Sequence, residues 1–147
     1  MADWDKRFME LAEFTSGWSK DRKKKVGAVI VDEDKRVISM GYNGFVSGAD
    51  DNIEERHVKP LKLSYVVHAE MNSICSAARS GIKTKGCTLY CTFHPCSECC
   101  KAIIQSGIKR VVCYELDFEK DSWAQTAKIA KEMFCESGVT LVYLNKK

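Results

Sequence analysis

The sequence predicts an α/β protein of three layers, α/β/α, built on a mixed five-stranded sheet. Its first strands form an antiparallel hairpin and its last strands run parallel. Two observations carry this. From residue 87 onward the order reads strand, helix, strand, helix, strand, and such alternation favours parallel pairing through right-handed crossovers with helices covering the sheet. Earlier, two β-branched runs at 26–31 and 37–42 flank the polar turn Asp32-Glu33-Asp34-Lys35, a hairpin pattern.

Taken in order, Trp4, Phe8, Leu11, Ala12, Thr15 and Trp18 recur at helical spacing and predict a helix over residues 4–19, capped by Asp3. Residues 20–25 form a basic loop. The run 26–31 is apolar enough for a strand buried on both faces, and 37–42 supplies its partner. Residues 43–63 lack periodicity and contain Gly44, Gly48 and Pro60, with a helical turn expected around 53–57. A connection this long inside a domain is usually functional or mobile. A second helix is expected over 69–80 with Met71, Ile74, Cys75 and Ala78 as its apolar stripe and Gly81 as its stop. Then follow a strand at 87–93, a helix at 97–106 ended by Gly107, a strand at 109–115, a helix at 119–136 ended by Gly138, and a strand at 139–144.

At 147 residues the chain is expected to be one domain spanning 1–147. Hydrophobic and charged fractions of 45% and 29% are those of a globular protein and exclude collagen-like or mainly disordered readings. No apolar run reaches the ~20 residues of a membrane span. The opening Met-Ala-Asp-Trp-Asp-Lys-Arg is charged where a signal peptide is apolar. These features predict a cytoplasmic protein without a membrane partner. A net charge of +3 is far from that of a dedicated nucleic-acid binder and suits a small anionic substrate. Eight cysteines in such a setting point to metal or catalysis where clustered. Cys96, Cys99 and Cys100 are clustered, whereas Cys75, Cys87, Cys91, Cys113 and Cys135 sit in apolar segments and read as core residues.

Two segments carry chemistry. His68-Ala69-Glu70 opens one predicted helix and Pro95-Cys96-Ser97-Glu98-Cys99 opens the next. Cys96 and Cys99, three apart, share a helical face near a helix start, where free N–H groups favour thiolates. One imidazole and two thiolates fill three corners of a tetrahedral zinc site, and no fourth ligand is evident, the arrangement of catalytic zinc with a water in the open corner. Glu70 stands beside that corner, able to take the proton of a zinc-activated hydroxide and pass it to a ring nitrogen and a leaving amine. His-x-Glu with Pro-Cys-x-x-Cys is the zinc deaminase signature. Cys100 should point about 100° away from Cys99 and pack in the core, and His57 reads as a surface residue.

The chain resembles zinc-dependent deoxycytidylate (dCMP) deaminases, of the cytidine deaminase-like superfamily. The segments that carry the resemblance are Val26-Gly27-Ala28-Val29-Ile30-Val31, Gly41-Tyr42-Asn43-Gly44, His68-Ala69-Glu70-Met71-Asn72, Gly86-Cys87-Thr88-Leu89-Tyr90, Pro95-Cys96-Ser97-Glu98-Cys99 and Ile103-Ile104-Gln105-Ser106-Gly107-Ile108. The resemblance implies one zinc ion per chain held by His68, Cys96 and Cys99, with Glu70 as catalytic proton shuttle. It also implies that Asn43 hydrogen-bonds the nucleotide sugar, that Ala69 lies at the substrate, and that Lys25 stands at the pocket rim. The implied reaction is hydrolysis of dCMP to dUMP and ammonia, feeding dTTP synthesis.

Among residues 22–25, Arg22 or Lys25 is expected to clamp the substrate phosphate. Tyr114 either packs on the ligand or is core, and His94 either lines the base pocket or is a bystander. Family members often form hexamers, and are often activated by dCTP and inhibited by dTTP through a Gly-Tyr-Asn-Gly-x-Pro-x-Gly loop. Here Val46 replaces that proline, and Arg22-Lys23-Lys24 stands where the family usually has proline and small polar residues. The competing readings are a deaminase of another cytosine nucleotide, of tRNA or of single-stranded DNA, and a non-catalytic zinc module that senses nucleotides.

Overall fold

The computed structural model describes residues 3–146. Its elements are α1 (Trp4–Ser16), β1 (Gly27–Val31), β2 (Val37–Tyr42), β3 (Gly44–Phe45), a 3-10 turn (Glu54–His57), α2 (Lys62–Tyr65), β4 (Val66–Val67), α3 (Ala69–Arg79), β5 (Thr88–Cys91), α4 (Ser97–Gln105), β6 (Arg110–Tyr114), α5 (Ala124–Glu136) and β7 (Thr140–Leu144). The main sheet has the order β2-β1-β5-β6-β7. β1 runs antiparallel to both β2 and β5, while β5, β6 and β7 are parallel. This is the mixed sheet that the sequence predicts. β3 and β4 add a separate two-stranded ribbon that the sequence did not suggest.

All five residues of β1 are buried, and they alternate between two cores. Val29 and Val31 meet Phe8, Met9 and Ala12 of α1. Ala28 and Ile30 face the other way, toward Ala69 of α3, Cys100 and Ile103 of α4, and Ala130 and Phe134 of α5. One helix therefore covers one face and three cover the other, as two right-handed crossovers from β5 through β7 require. Each fully buried valine or isoleucine contributes about 1.5–3 kcal/mol, so this strand fastens both layers.

Two glycines set the layer spacing. A Cβ on Gly27 would lie 2.0 Å from the Ala12 carbonyl oxygen of α1. A Cβ on Gly41 would lie 2.6 Å from both the Ala69 carbonyl oxygen and the Ser73 nitrogen, so only glycine lets the first turns of α3 settle on β2.

Several boundaries differ from the sequence expectation. α1 stops at Ser16, where the Gly17 N–H turns back to the Phe14 carbonyl, and Trp18 is exposed rather than part of the packing face. The buried face of α3 is Ala69, Glu70, Ser73 and Ala77, offset from the expected apolar stripe. Cys75 and Cys135 are exposed, not core. α5 begins at Ala124, because Asp121 accepts the Trp123 N–H and holds the preceding residues in a turn. No helix among the described residues is long and apolar enough to cross a membrane.

Candidate active site

Each half of the site is an extended residue followed by a helix. His68 (φ −70°, ψ 155°) caps α3 and Cys96 (φ −80°, ψ 172°) caps α4. The Cys96 Sγ accepts the Cys99 N–H at 3.4 Å, filling the role of a polar capping side chain. Because α3 and α4 pack side by side behind β1 and β5, their starts converge. His68 Nδ1 lies 3.5 Å from Cys96 Sγ and 3.4 Å from Cys99 Sγ.

These separations are themselves a test of the metal. Zn–N and Zn–S bonds of about 2.05 and 2.3 Å at the tetrahedral angle place nitrogen and sulfur about 3.6 Å apart. The donor set and its spacing fit zinc. Among the described residues no fourth histidine, cysteine or carboxylate joins the cluster, which leaves one corner for water or substrate.

The electrostatics favour the same use. The hydrogen bond from Cys99 holds the Cys96 thiol well below its ordinary range, with further help from His68 and against burial. The same bond, together with burial, pushes Cys99 up. A divalent ion bound by both sulfurs would displace the thiol proton that the pair retains. The contact with Cys96 raises His68 against desolvation. Glu70, only 4% exposed, is pushed above the ordinary carboxylate range by burial, opposed by its own backbone N–H and the His68 charge. A carboxyl group moved toward neutrality is suited to proton transfer at physiological pH.

His68, Ala69 and Glu70 form the floor of a cavity of about 290 Å³, close to the lower end of small-ligand pockets. Asn43 and His94 also line it. The Asn43 side chain accepts the Val26 N–H (2.9 Å) through Oδ1 and donates from Nδ2 to the Lys24 carbonyl (2.8 Å), fixing the entry to β1. His94 is fully buried between the Pro95 carbonyl and the Tyr143 hydroxyl. Both ring nitrogens are therefore occupied within the protein.

Three expected substrate contacts are not in this cavity. Arg22 is exposed and engaged by Glu54 through two hydrogen bonds of 2.7 and 2.9 Å. Lys25 is exposed and outside the cavity wall. Tyr114 lines a different cleft, beside Glu10 and Glu13 of α1. Of residues 22–25, Lys24 is the one that lines the cavity, its ammonium 4.3 Å above the Phe93 ring, although the residue is exposed. The reason is local: Asp21 accepts the N–H groups of Lys23 and Lys24, and the resulting turn sets Lys24 at the cavity wall.

Sequence reasoning also missed Lys59, Lys62, Phe93 and Trp123, all on the cavity wall. Trp123 falls inside the helix expected over 119–136. Instead it precedes α5, its indole N–H donates to the His94 carbonyl (3.0 Å), and its ring stands 6.1 Å from that of His68. The placement of Lys59 and Lys62 in an aperiodic connection gave no signal.

A mixed sheet that brings a His-Cys-Cys cluster and a buried glutamate to two converging helix starts defines the zinc-dependent deaminase class. Residues 2–115 match the family described as the cytidine and deoxycytidylate deaminase zinc-binding region, and the chain belongs to that family. It is 38% identical to an uncharacterized deaminase in the luxG 3′ region of Aliivibrio fischeri, covering 98% of this chain and 95% of that one. It is also 38% identical to the deoxycytidylate deaminase of Homo sapiens, over 94% of this chain and 78% of that protein. Among solved structures it superposes on the dCMP deaminase of cyanophage S-TIM5 in complex with dCMP and dUMP. The TM-score is 0.78 at 28% identity, covering 98% of this chain and 99% of that one.

Proposed function

We propose that the protein hydrolyses dCMP to dUMP and ammonia. The observation that carries this is the Glu70 carboxyl, buried beside the His68, Cys96 and Cys99 donors at the floor of a cavity of small-molecule size. Similarity to deoxycytidylate deaminases along most of the chain supports the choice of base and sugar.

A zinc ion held by His68, Cys96 and Cys99 supplies Lewis acidity that brings the pKa of a water toward neutrality. Glu70 accepts a proton from the attacking water and delivers it to N3 of the ring as the new C4–O bond forms. It then moves the second proton to the amino group, the C4–N bond breaks, and ammonia leaves. Asn43, anchored at the head of β1, presents its amide to the sugar. Ala69 brings the first backbone N–H of α3, which has no partner inside the helix, to the ligand.

The reading extends to setting and control. The protein works in the cytoplasm as a homo-oligomer that supplies dUMP for thymidine nucleotide synthesis. dCTP and dTTP are its effectors, acting at the 41–48 segment, which borders a second cavity of about 260 Å³ together with Trp18 and His57.

Ammonia release from dCMP, dCTP, cytidine, deoxycytidine and a tRNA anticodon stem-loop tests the assignment. Preferred turnover of dCMP is expected. Turnover of RNA with no free nucleotide would reassign the substrate, and stoichiometric zinc without any turnover would make the protein a nucleotide sensor.

A further inference from the structure

We infer that one carboxylate, Asp21, assembles a lysine cradle of Lys24 and Lys62 that reads the substrate's phosphate, with Lys59 on the same cavity wall; this rests on the cavity being the dCMP site. Asp21 makes two kinds of contact at once. Its Oδ1 accepts the N–H groups of Lys23 (2.9 Å) and Lys24 (3.0 Å). Its Oδ2 holds the Lys62 ammonium at 2.8 Å, in a pair whose side chains are only 13% and 6% exposed. Loop 20–25 and α2, about forty residues apart in sequence, are thereby joined at the cavity wall.

The cavity has a direction. The ring of Trp123 neighbours His68 at 6.1 Å, Phe93 neighbours Trp123 at 5.5 Å, and the Lys24 ammonium sits 4.3 Å over Phe93. This run of rings leads from the metal donors to the Lys24 ammonium, and Lys59 and Lys62 line the same cavity. A nucleotide whose base lies at Glu70 has its phosphate at the lysine end. The lysine heads there are a point-charge match for phosphate oxygens. The wall attracts an anion: three ammonium groups outnumber the carboxylates of Asp21 and Asp121, and a monophosphate brings a charge of about −2. Arg22, the stronger phosphate ligand by chemistry, is already engaged by Glu54.

In this arrangement Lys24 and Lys62 determine specificity, and Asp21 is a positioning residue that acts through them. The test compares kcat/KM for dCMP and for deoxycytidine in the zinc-loaded protein and in Lys24→Met, Lys62→Met and Asp21→Asn, with Arg22→Gln and Lys25→Gln as controls. Each lysine variant should lose about tenfold to a hundredfold on dCMP, the worth of a charge-assisted hydrogen bond, chiefly through KM. Deoxycytidine turnover should stay unchanged, and the controls should match the parent on both substrates. Asp21→Asn should raise KM for dCMP in the same selective way. Lys62→Met leaves a buried carboxylate alone, so Lys24→Met, which breaks no buried pair, decides the matter if Lys62→Met fails to fold. Equal losses on both substrates, no loss on either, or a selective loss in the Arg22 or Lys25 variants would overturn the cradle while leaving the deaminase reading intact. A parent protein that leaves dCMP untouched would overturn that reading itself.

Discussion

Tyr143 and His94 lie 2.9 Å apart, a hydrogen bond that ties the last strand of the sheet to the turn carrying Cys96. The other ring nitrogen of His94 is 3.0 Å from the Pro95 carbonyl, which can only accept, so Nδ1 carries the proton and Nε2 accepts from the Tyr143 hydroxyl. The His94 carbonyl in turn receives the Trp123 indole N–H. One buried residue thus joins β7 and the ligand turn through its ring and the cavity wall through its carbonyl. Tyr143→Phe strands a buried acceptor, and a loss of about 1–3 kcal/mol is expected. Thermal unfolding of the zinc-loaded protein checks this: a Tm lower by several degrees agrees, and an unchanged Tm contradicts.

The contact between α1 and the sheet should weaken at low pH. Asp5 meets both arms of Arg110, at 2.9 and 2.6 Å, and accepts the Tyr90 hydroxyl at 2.7 Å. The Arg110 guanidinium holds the Asp5 carboxyl below its ordinary value of 3.8, with burial opposing. A pKa lower in the folded state gives stability that is fully present above the unfolded value. That stability is lost as pH falls through the folded one. Asp5→Asn should therefore cost about 1–3 kcal/mol at pH 7, and the gap from the parent should narrow toward pH 3. Urea unfolding at both pH values measures it, and an equal gap at both would refute the pair's role.

Gly27→Ala should be severe. The added methyl would sit 2.0 Å from a carbonyl oxygen and 2.6 Å from a nitrogen of the α1 backbone, neither of which can rotate away. Overpacking of this kind costs about 3 kcal/mol. Gly44→Ala, which meets nothing within 4 Å, is the control. Similar melting temperatures for the two variants would show that α1 does not rest on Gly27.

The readable and the hidden parts of this protein differ in physical kind. β1 was legible because Val26-Gly27-Ala28-Val29-Ile30-Val31 is buried on both faces and shows as a continuous apolar run. His68, Glu70, Cys96 and Cys99 were legible because each pair is local, fixed by the few residues that open one helix. The offset face of α3 was not, since its buried positions include the polar Glu70 and Ser73, held close by Gly41 from another strand. Trp123 and Lys62 were hidden for a related reason. Each owes its place to a partner distant in sequence, the His94 carbonyl and the Asp21 carboxylate. In the basic run, the sequence pointed to Arg22 or Lys25 as the residue at the substrate phosphate, whereas Lys24 is the one that lines the cavity. Only the Asp21 turn decided that it was Lys24 and not Lys25 or Arg22.

The central claim is that Glu70 moves protons beside a zinc site whose ligands it does not join. Ammonia release from dCMP by the Glu70→Gln variant, on protein whose zinc content is determined in the same sample, tests it most directly. The account predicts one zinc per chain in both proteins and a fall in kcat of about 10²–10⁴. Turnover at the parent's rate in Glu70→Gln, or loss of the zinc with the carboxylate, would contradict it.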